Sequence, residues 1–295
     1  MEQHNEARSN ESLPAHSRTR TVSSSMKRGA ALLAIAAALA VPVARAQIAA
    51  PVEVDDGVNS CSLGVASVPD YMGSSHNRLA VGPAVRYAIP DSERYFMLLG
   101  PQAMFNILDD ANWRFGPLVN YRGARDDTVE DAVVQQMQKI DGKFEIGVFA
   151  AYRLKLSAER MHQINFGTDL AGDEEGVIGS LRAMYWQPLT QSTIVNLGVG
   201  TIFDSRDWMQ TYFGVNGERD IALFPSLGGK PFEADGGVRS ITVPFGLTQA
   251  LSRQWLVSVG GRYERLVGDA ADSPVTSERG SSSQWIGGVG SSYLF

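Results

Sequence analysis

The feature that most constrains the fold is an alternation of residue types with a period of two, and it is clearest in residues 284–295. One face of this segment carries Trp285, Val289, Tyr293 and Phe295, whereas the other face is mostly small or polar. Such alternation indicates a β-strand with two different faces. Aromatic residues at both ends of the apolar face favour a strand that crosses a bilayer, because aromatic rings prefer the membrane interfaces. A soluble β-sandwich could end in a similar strand, so the other segments must distinguish the two.

The same alternation recurs along the chain, and short polar turns between many segments indicate an antiparallel meander. The segments are 61–68, 79–89, 95–108, 113–122, 144–154, 158–168, 177–185, 193–203, 210–215, 238–251, 255–267 and 284–295. They number twelve if 210–215 is a strand and eleven if it is a loop. Because single-chain bacterial barrels have an even number of strands, we predict an all-β, antiparallel transmembrane β-barrel of twelve strands, with ten as the alternative.

Short turns and long loops should also alternate along such a barrel, and in this list of segments they do so only in part. Two explanations remain open. Either the segment near 94–108 is divided wrongly, or one long loop faces the periplasm.

The N-terminal region has the pattern of a secretory signal. Met26-Lys27-Arg28 precedes an apolar core over 29–43, and Ala44-Arg45-Ala46 forms a small-x-small cleavage site. We therefore predict an extended signal peptide over 1–46, a periplasmic lead-in over 47–60 and a barrel over 61–295, exported through the periplasm to the bacterial outer membrane. Outside this N-terminal region no run of eighteen apolar residues occurs, which excludes a mature helical membrane protein.

Charge and cysteine content argue against a nucleic-acid-binding protein and against a fold held by disulfides. After removal of residues 1–46 the chain carries 20 basic and 29 acidic residues, a formal net charge of −9, which argues against nucleic acid as a partner. The single cysteine, Cys61, cannot form an intramolecular disulfide. No cofactor or metal motif is visible.

Several stretches resemble the MltA-interacting protein family, also called the MipA/OmpV family. Residues 69–74 are similar to its Pro-x-Tyr-x-Gly-Ser turn, 121–127 to its Arg-Asp motif, 208–215 to its Met-Gln-x-x-Phe-Gly-Val stretch, and 265–275 give the closest match. The resemblance implies an outer-membrane barrel that acts as a scaffold between a murein lytic transglycosylase and a murein synthase. Other members are associated with permeability, adhesion or antibiotic response. Outer-membrane lipid and lipopolysaccharide are the surroundings that this fold implies.

The polar faces of the predicted strands carry more arginine than acid. A charged side chain facing lipid costs about 2–4 kcal/mol at the midplane, so these residues are expected in the lumen. The candidate lumen network is Arg86, Arg114, Glu145, Arg153, Arg182, Arg262 and Glu264, with Arg122 on the same face of its segment. One interpretation is a narrow passage that tolerates anions, and the other is a packed ionic network that plugs a small barrel.

Two further groups are candidates for structural roles. The stretch from Arg265 contains Asp269 and Asp272, which predict Asx-type turns in a rim loop that Arg265 could hold by an ion pair. Tyr293 and Phe295 resemble the C-terminal signature of outer-membrane barrels, and we expect them to act as an assembly signal.

No constellation of catalytic residues is visible. After the signal peptide the chain contains two histidines, His76 and His162. Ser157 near His162 is the nearest approach to a nucleophile and base, and nothing else in the stretch supports that chemistry. We therefore predict a non-enzymatic scaffold or interaction protein, with a small porin-like channel as the alternative.

Overall fold

The computed structural model describes residues 57–158 and 161–295, and these form a closed barrel in which every strand runs antiparallel to both neighbours. The strands are β1 Ser60–Pro69, β2 Asn77–Ala88, β3 Tyr95–Leu99, β4 Gln102–Asn106, β5 Trp113–Arg122, β6 Lys143–Lys155, β7 Gln163–Asp173, β8 Gly176–Pro188, β9 Thr193–Asp204, β10 Gly237–Ala250, β11 Trp255–Leu266 and β12 Ser283–Leu294. The predicted twelve-stranded antiparallel barrel is confirmed. The predicted signal peptide and residues 47–56 of the lead-in lie outside the described residues.

The strand number is right although two of the predicted segments were wrong. The segment 95–108 is two short strands joined by a turn at Gly100-Pro101, where Gly100 has a φ of +53° that favours glycine. Residues 210–215 are not a strand, because most of them belong to helix α1, Arg206–Phe213. Trp208, Met209, Tyr212 and Phe213 are all buried on one side of this helix, a spacing of four residues that a period of two does not describe.

Dividing 95–108 places the three longest connections at the same end of the barrel. Five short connections, 89–94, 107–112, 156–162, 189–192 and 251–254, lie at the same end as the start of β1 and the end of β12. The six connections at the other end are 70–76, 100–101, 123–142, 174–175, 205–236 and 267–282, and three of them, 123–142, 205–236 and 267–282, are long. In bacterial barrels both termini are periplasmic, so the long loops are at the extracellular end.

The outward face of the barrel is an apolar belt between two girdles of aromatic side chains. Trp113 and Tyr152 pair near the periplasmic end at a centroid distance of 4.8 Å, and Tyr263 and Trp285 pair near the extracellular end at 4.8 Å. Trp113 and Tyr121 mark the two ends of β5 and are separated by about 26 Å of strand at 3.3 Å per residue. The belt therefore matches the apolar band expected of a transmembrane barrel.

Four of the extracellular connections, 70–76, 123–142, 205–236 and 267–282, fold together over one end of the barrel, and we call them the cap. The cap contains α1, two single-turn helices, α2 Asp269–Asp272 and α3 Pro274–Ser277, and two 3₁₀ turns, Val134–Gln136 and Ile221–Ser226. Within the described ranges, no helix has the length and apolar character needed to span a membrane.

Candidate functional site

The cap has a hydrophobic core of its own, which closes the extracellular end of the barrel. Trp208 and Phe213 from α1 pack with Leu266 of β11 and Ala270 of α2, and all four are at most 2% exposed. A second cluster joins residues from all four loops: Tyr71, Val129, Val134, Met137, Val215, Leu227 and Val275. Loops over a water-filled channel would leave such side chains wet, so burial of this extent indicates a fixed lid.

Polar bonds also join the loops to each other. Arg279 donates to both oxygens of Asp131, at 3.2 and 2.7 Å, across 148 residues of sequence. The backbone N–H of Glu130 donates to Asp70 Oδ2 at 2.7 Å, and Arg125 Nη1 donates to the carbonyl oxygen of Tyr212 at 2.7 Å. Four loops are thus held by charge-assisted hydrogen bonds as well as by apolar packing.

Ionisation states in the cap follow from these contacts. Burial disfavours the charged form of Asp131, but hydrogen bonds from Arg279 and from the backbone of Val133 and Val134 outweigh that effect and hold the pKa of the carboxyl below its ordinary value. Burial, together with the nearby Asp131 carboxylate, raises the pKa of Tyr71 to about 12. Tyr71 is therefore a neutral phenol at physiological pH, and its hydroxyl donates to the carbonyl oxygen of Arg279.

Immediately beneath the cap, Arg122 lies at the centre of a buried ionic cluster. Its Nη2 is 2.9 Å from Asp173 Oδ2 and 2.5 Å from Glu175 Oε2, and its Nε is 4.0 Å from Glu145 Oε1. Its guanidinium also stacks over the ring of Tyr212 at 5.0 Å. A barrel-wall arginine thereby contacts carboxylates of β6, of β7 and of the turn between β7 and β8, as well as an aromatic ring of the cap, which connects the wall to the cap.

A second buried pair has the same arrangement. Arg239 Nε is 3.1 Å from Asp204 Oδ2, and the guanidinium lies 4.8 Å above the indole ring of Trp208. Sequence alternation could not place Arg239, because a β-bulge between Val238 and Ser240 shifts the register there. Asp204 is the last residue of β9, at the rim.

All seven residues of the candidate lumen network lie on the inward face of their strands, and several of them form ion pairs there. Arg182 pairs with Asp169 at 2.6 Å, Arg262 with Glu264 at 2.9 Å, and Arg114 with Glu93 at 3.2 Å. Glu145 belongs to the cluster of Arg122 beneath the cap. These ion pairs lie at different positions along the barrel axis.

Five of the seven share another feature, because they line an internal cavity of about 250 Å³. The arginines around it are Arg86, Arg114, Arg153, Arg182 and Arg262. Asp169 is the acidic residue in the lining, and the network's two glutamates, Glu145 and Glu264, lie outside it. Asp169 was missed because the predicted segment ended at residue 168. Extending the alternation by one residue would have placed it inward with Asn165.

The rim loop differs from its prediction. Residues 269–277 form two single helical turns rather than Asx-type turns, and Ser273 caps the second by accepting from Val275 N–H at 3.2 Å. Arg265 lies on the outward face, where its Nη1 donates to Ser283 Oγ at 2.8 Å, and Asp269 Oδ2 accepts from the N–H of Asp235 at 2.6 Å. The local sequence favours turns, but burial of Ala270 and Val275 in the cap core stabilises the helical turns.

The C-terminal residues lie at the seam where the barrel closes. Strand β12 pairs with β1, placing Tyr293 opposite Cys61, and the N–H of Phe295 donates to the carbonyl oxygen of Asn59 at 3.1 Å. The rings of Tyr293 and Phe295 stack at 6.2 Å, in the periplasmic girdle. This position is consistent with a role in assembly, which remains a prediction.

Ser157 and His162 meet at a periplasmic turn, where Ser157 Oγ is 2.9 Å from His162 Nδ1. The other ring nitrogen faces the hydroxyl of Tyr185 at 3.3 Å rather than a carboxylate. A phenol cannot stabilise an imidazolium as a carboxylate does. Over the described residues, no group of three or more His, Cys, Asp or Glu side chains is placed to hold a metal ion.

Known structures that resemble this chain include several outer-membrane proteins. An outer membrane channel from Pseudomonas putida F1 is 9% identical, with 86% of this chain and 100% of that chain covered and a TM-score of 0.39. A Pseudomonas aeruginosa FadL homologue is 8% identical, with coverages of 81% and 90% and a TM-score of 0.38. The NanC porin is 10% identical, with coverages of 78% and 98% and a TM-score of 0.35. No curated protein sequence matches the chain significantly.

The family assignment comes from the sequence of the barrel itself. The family model described as MltA-interacting protein MipA matches residues 61–295, which include almost the whole of the barrel and the complete cap. The match covers well over half of the chain. The chain therefore belongs to the MltA-interacting protein MipA family and is an outer-membrane β-barrel.

Proposed function

We propose that this protein is a non-enzymatic scaffold of the cell envelope, which holds a murein lytic transglycosylase, and with it a murein synthase, at the outer membrane. The observation that carries the proposal is the closed cap. A barrel whose extracellular end is sealed by packed loops provides a rigid, membrane-anchored surface rather than an open pore. The description of the family as MltA-interacting supports the choice of partner.

Opening the cap would expose side chains that are now dry. Trp208, Phe213, Leu227 and Val275 are at most 1% exposed, and the cap core is tied to the wall through Arg122 and its carboxylates. Exposing one large apolar side chain costs about 1.5–3 kcal/mol, so displacing four of them is unfavourable without a compensating ligand. This supports a scaffold over a permanently open channel.

The partner surface is proposed at the periplasmic end, because murein lies on that side of the outer membrane. Among the described residues, that end includes the short turns 89–94, 107–112, 189–192 and 251–254 together with 156–158 and 161–162, surrounded by the aromatic girdle. Short turns on a closed barrel move little, which favours a preformed docking surface. The apolar belt would contact outer-membrane lipid, and the cap would face lipopolysaccharide, once the protein has been exported through the periplasm.

A small porin-like channel is the second candidate, and the arginine-lined cavity is the observation that favours it. An inner wall rich in arginine would conduct anions if both ends opened. Planar-bilayer recordings distinguish the two candidates. The scaffold predicts no steady conductance from the folded barrel, whereas sustained anion-selective current would favour the channel.

Binding measurements test the scaffold directly. The folded barrel in lipid nanodiscs should bind purified murein lytic transglycosylase in biolayer interferometry. Two charge reversals on exposed residues at opposite ends form a matched pair: Arg253→Glu in a periplasmic turn and Glu233→Lys on the cap. Arg253→Glu should weaken binding and Glu233→Lys should not. Absence of binding by the wild-type barrel would overturn the scaffold, and the reverse pattern would overturn the placement of the surface.

A further inference from the structure

We propose that the cavity beneath the cap is a binding chamber for a small organic anion that has an apolar body and a carboxylate or phosphate group. The proposal does not depend on the scaffold function, because it concerns the inner wall rather than the periplasmic surface. It rests on the charge of the lining, on its apolar side chains and on the side from which it can be reached.

The residues that line the cavity include more basic than acidic side chains. Five arginines and one aspartate surround a space of about 250 Å³. Three of these arginines have a carboxylate within 3.2 Å: Arg182 with Asp169, Arg262 with Glu264, and Arg114 with Glu93. A guanidinium has five N–H donors, more than one carboxylate oxygen uses, so a paired arginine can still donate to a ligand. Such a fork recognises carboxylate and phosphate by two parallel hydrogen bonds.

The rest of the lining selects for an apolar body. Methionine and aromatic side chains face the same space: Tyr95, Met97, Met104, Phe149, Met184 and Trp186. Methionine sulfur makes favourable contacts with aromatic rings and adapts to irregular shapes. A bare inorganic anion would leave these side chains against water, whereas an anion with a ring or short chain would bury them. The lining therefore combines apolar side chains with polar groups that can fix the orientation of a ligand, as small-molecule sites do.

The size and the accessible side of the chamber limit the ligand further. An engineered protein cavity of about 150 Å³ holds benzene, so a space of about 250 Å³ accommodates a ligand with one aromatic ring and a charged group. The lining extends from Ile202 near the cap to Arg86 and Arg114, which bond to the backbone of Val58 and Asp110 at the periplasmic end. Because the cap seals the opposite end, the ligand would enter from the periplasm.

Calorimetry with probes of matched shape tests the proposal on the folded barrel in nanodiscs. Benzoate has nine non-hydrogen atoms and one carboxylate, and benzyl alcohol, benzylamine and inorganic phosphate serve as neutral, cationic and purely ionic comparisons. Benzoate should bind saturably and at least about tenfold more tightly than each comparison, a ratio that one good charge-assisted hydrogen bond provides. Equal binding of benzoate and benzyl alcohol would overturn the role of the arginines. Equal binding of phosphate would overturn the role of the apolar lining.

Substitutions locate the binding site and separate it from folding. Arg153→Gln should weaken benzoate binding at least about tenfold, whereas Arg265→Gln, which removes the same charge from the outer surface, should leave it unchanged. Asp169→Asn removes the acidic residue of the lining and should tighten binding, a gain that misfolding cannot produce. Folding of each variant is checked by its heat-modifiable electrophoretic shift. Equal losses in Arg153→Gln and Arg265→Gln, or weaker binding by folded Asp169→Asn, would overturn the chamber.

Discussion

The indole Nε1 of Trp208 lies 3.5 Å from Oε1 of Glu145, so a cap side chain contacts a carboxylate of the barrel wall in the buried interior. Asn120 Nδ2 donates to the other oxygen of Glu145 at 2.8 Å, and Arg122 is 4.0 Å away. A polar group this deep in the barrel is stable only when it is hydrogen-bonded. The wall and the cap therefore depend on each other for their packing.

Trp208→Ala should release the cap. The side chain is 1% exposed, and loss of a buried tryptophan costs about 3–5 kcal/mol in unfolding free energy. We expect a lower unfolding temperature and intermittent ion conductance, measured by scanning fluorimetry and bilayer recording. Trp113→Ala, on the lipid-facing girdle, is the control and should have a smaller effect on both. Equal effects of the two substitutions would contradict a sealed cap.

Glu264→Ala should destabilise the barrel more than loss of a surface pair. It leaves Arg262 and the nearby Arg239 buried without this carboxylate, and breaking a buried pair costs about 3–5 kcal/mol. Glu233→Ala is the matched control, because its pair with Arg206 is exposed and worth about 0–1 kcal/mol. Chemical denaturation of the folded barrel in micelles compares them. A small effect of Glu264→Ala would indicate a wet, open lumen at this height.

Acid should loosen the cap through Asp131. Its pKa in the folded protein is held below the ordinary value of 3.8, so its ion pair with Arg279 contributes stability above that value. The contribution is lost as the pH falls from 3.8 through the lower folded pKa. We expect unfolding temperatures to be flat from pH 7 to pH 5 and to fall below about pH 4.

The variant Asp131→Asn isolates that contribution. It should be less stable than the wild type at pH 6, and its unfolding temperature should change less between pH 5 and pH 2.5. Asp127→Asn, whose pair with Lys139 is exposed, should retain the wild-type pH profile. An unaltered acid transition in Asp131→Asn would assign the transition to other carboxylates.

Deletion of Phe295 should reduce assembly of the barrel rather than the activity of the folded protein. The residue extends the pairing of β12 with β1 through its hydrogen bond to Asn59, and an unpaired strand edge is unstable in lipid. The yield of heat-modifiable protein in outer-membrane fractions measures the effect. Phe144→Ala removes an exposed aromatic ring from the other girdle and should assemble normally. Normal yield after deletion of Phe295 would refute the assembly signal.

The N-terminal prediction is tested separately. We propose that export removes residues 1–46 and that the mature chain begins at Gln47, since Ala44-Arg45-Ala46 has the small residues that a signal peptidase needs. N-terminal sequencing of protein from the outer membrane should start at Gln47. A start at Met1 or Met26 would refute cleavage at this site.

Within the regular parts of the strands that were predicted, alternation alone was sufficient to place inward-facing side chains. A strand's side chains change face at every residue, so Arg86, Glu145 and Arg182 face the lumen whatever their distant neighbours are. The rule that single-chain barrels have an even number of strands, together with the family motifs, then led to the prediction of a twelve-stranded outer-membrane barrel. The alternation of faces is interrupted at two places. At the turn of Gly100, two strands were predicted as one segment. At the bulge beside Arg239, the register shifts, so alternation could not place that residue.

The cap and the separation of charges were decided only by the tertiary structure. Asp131 meets Arg279 across 148 residues, and Trp208 meets Glu145 across 63, distances over which no local pattern carries information. Alternation predicts the face on which a residue lies but not its height, by which we mean its position along the barrel axis. It therefore could not show that five arginines share a cavity while Glu145 and Glu264 lie outside it. Height is set by strand register around the closed barrel, and register depends on pairing with β-strands and loops from the whole chain.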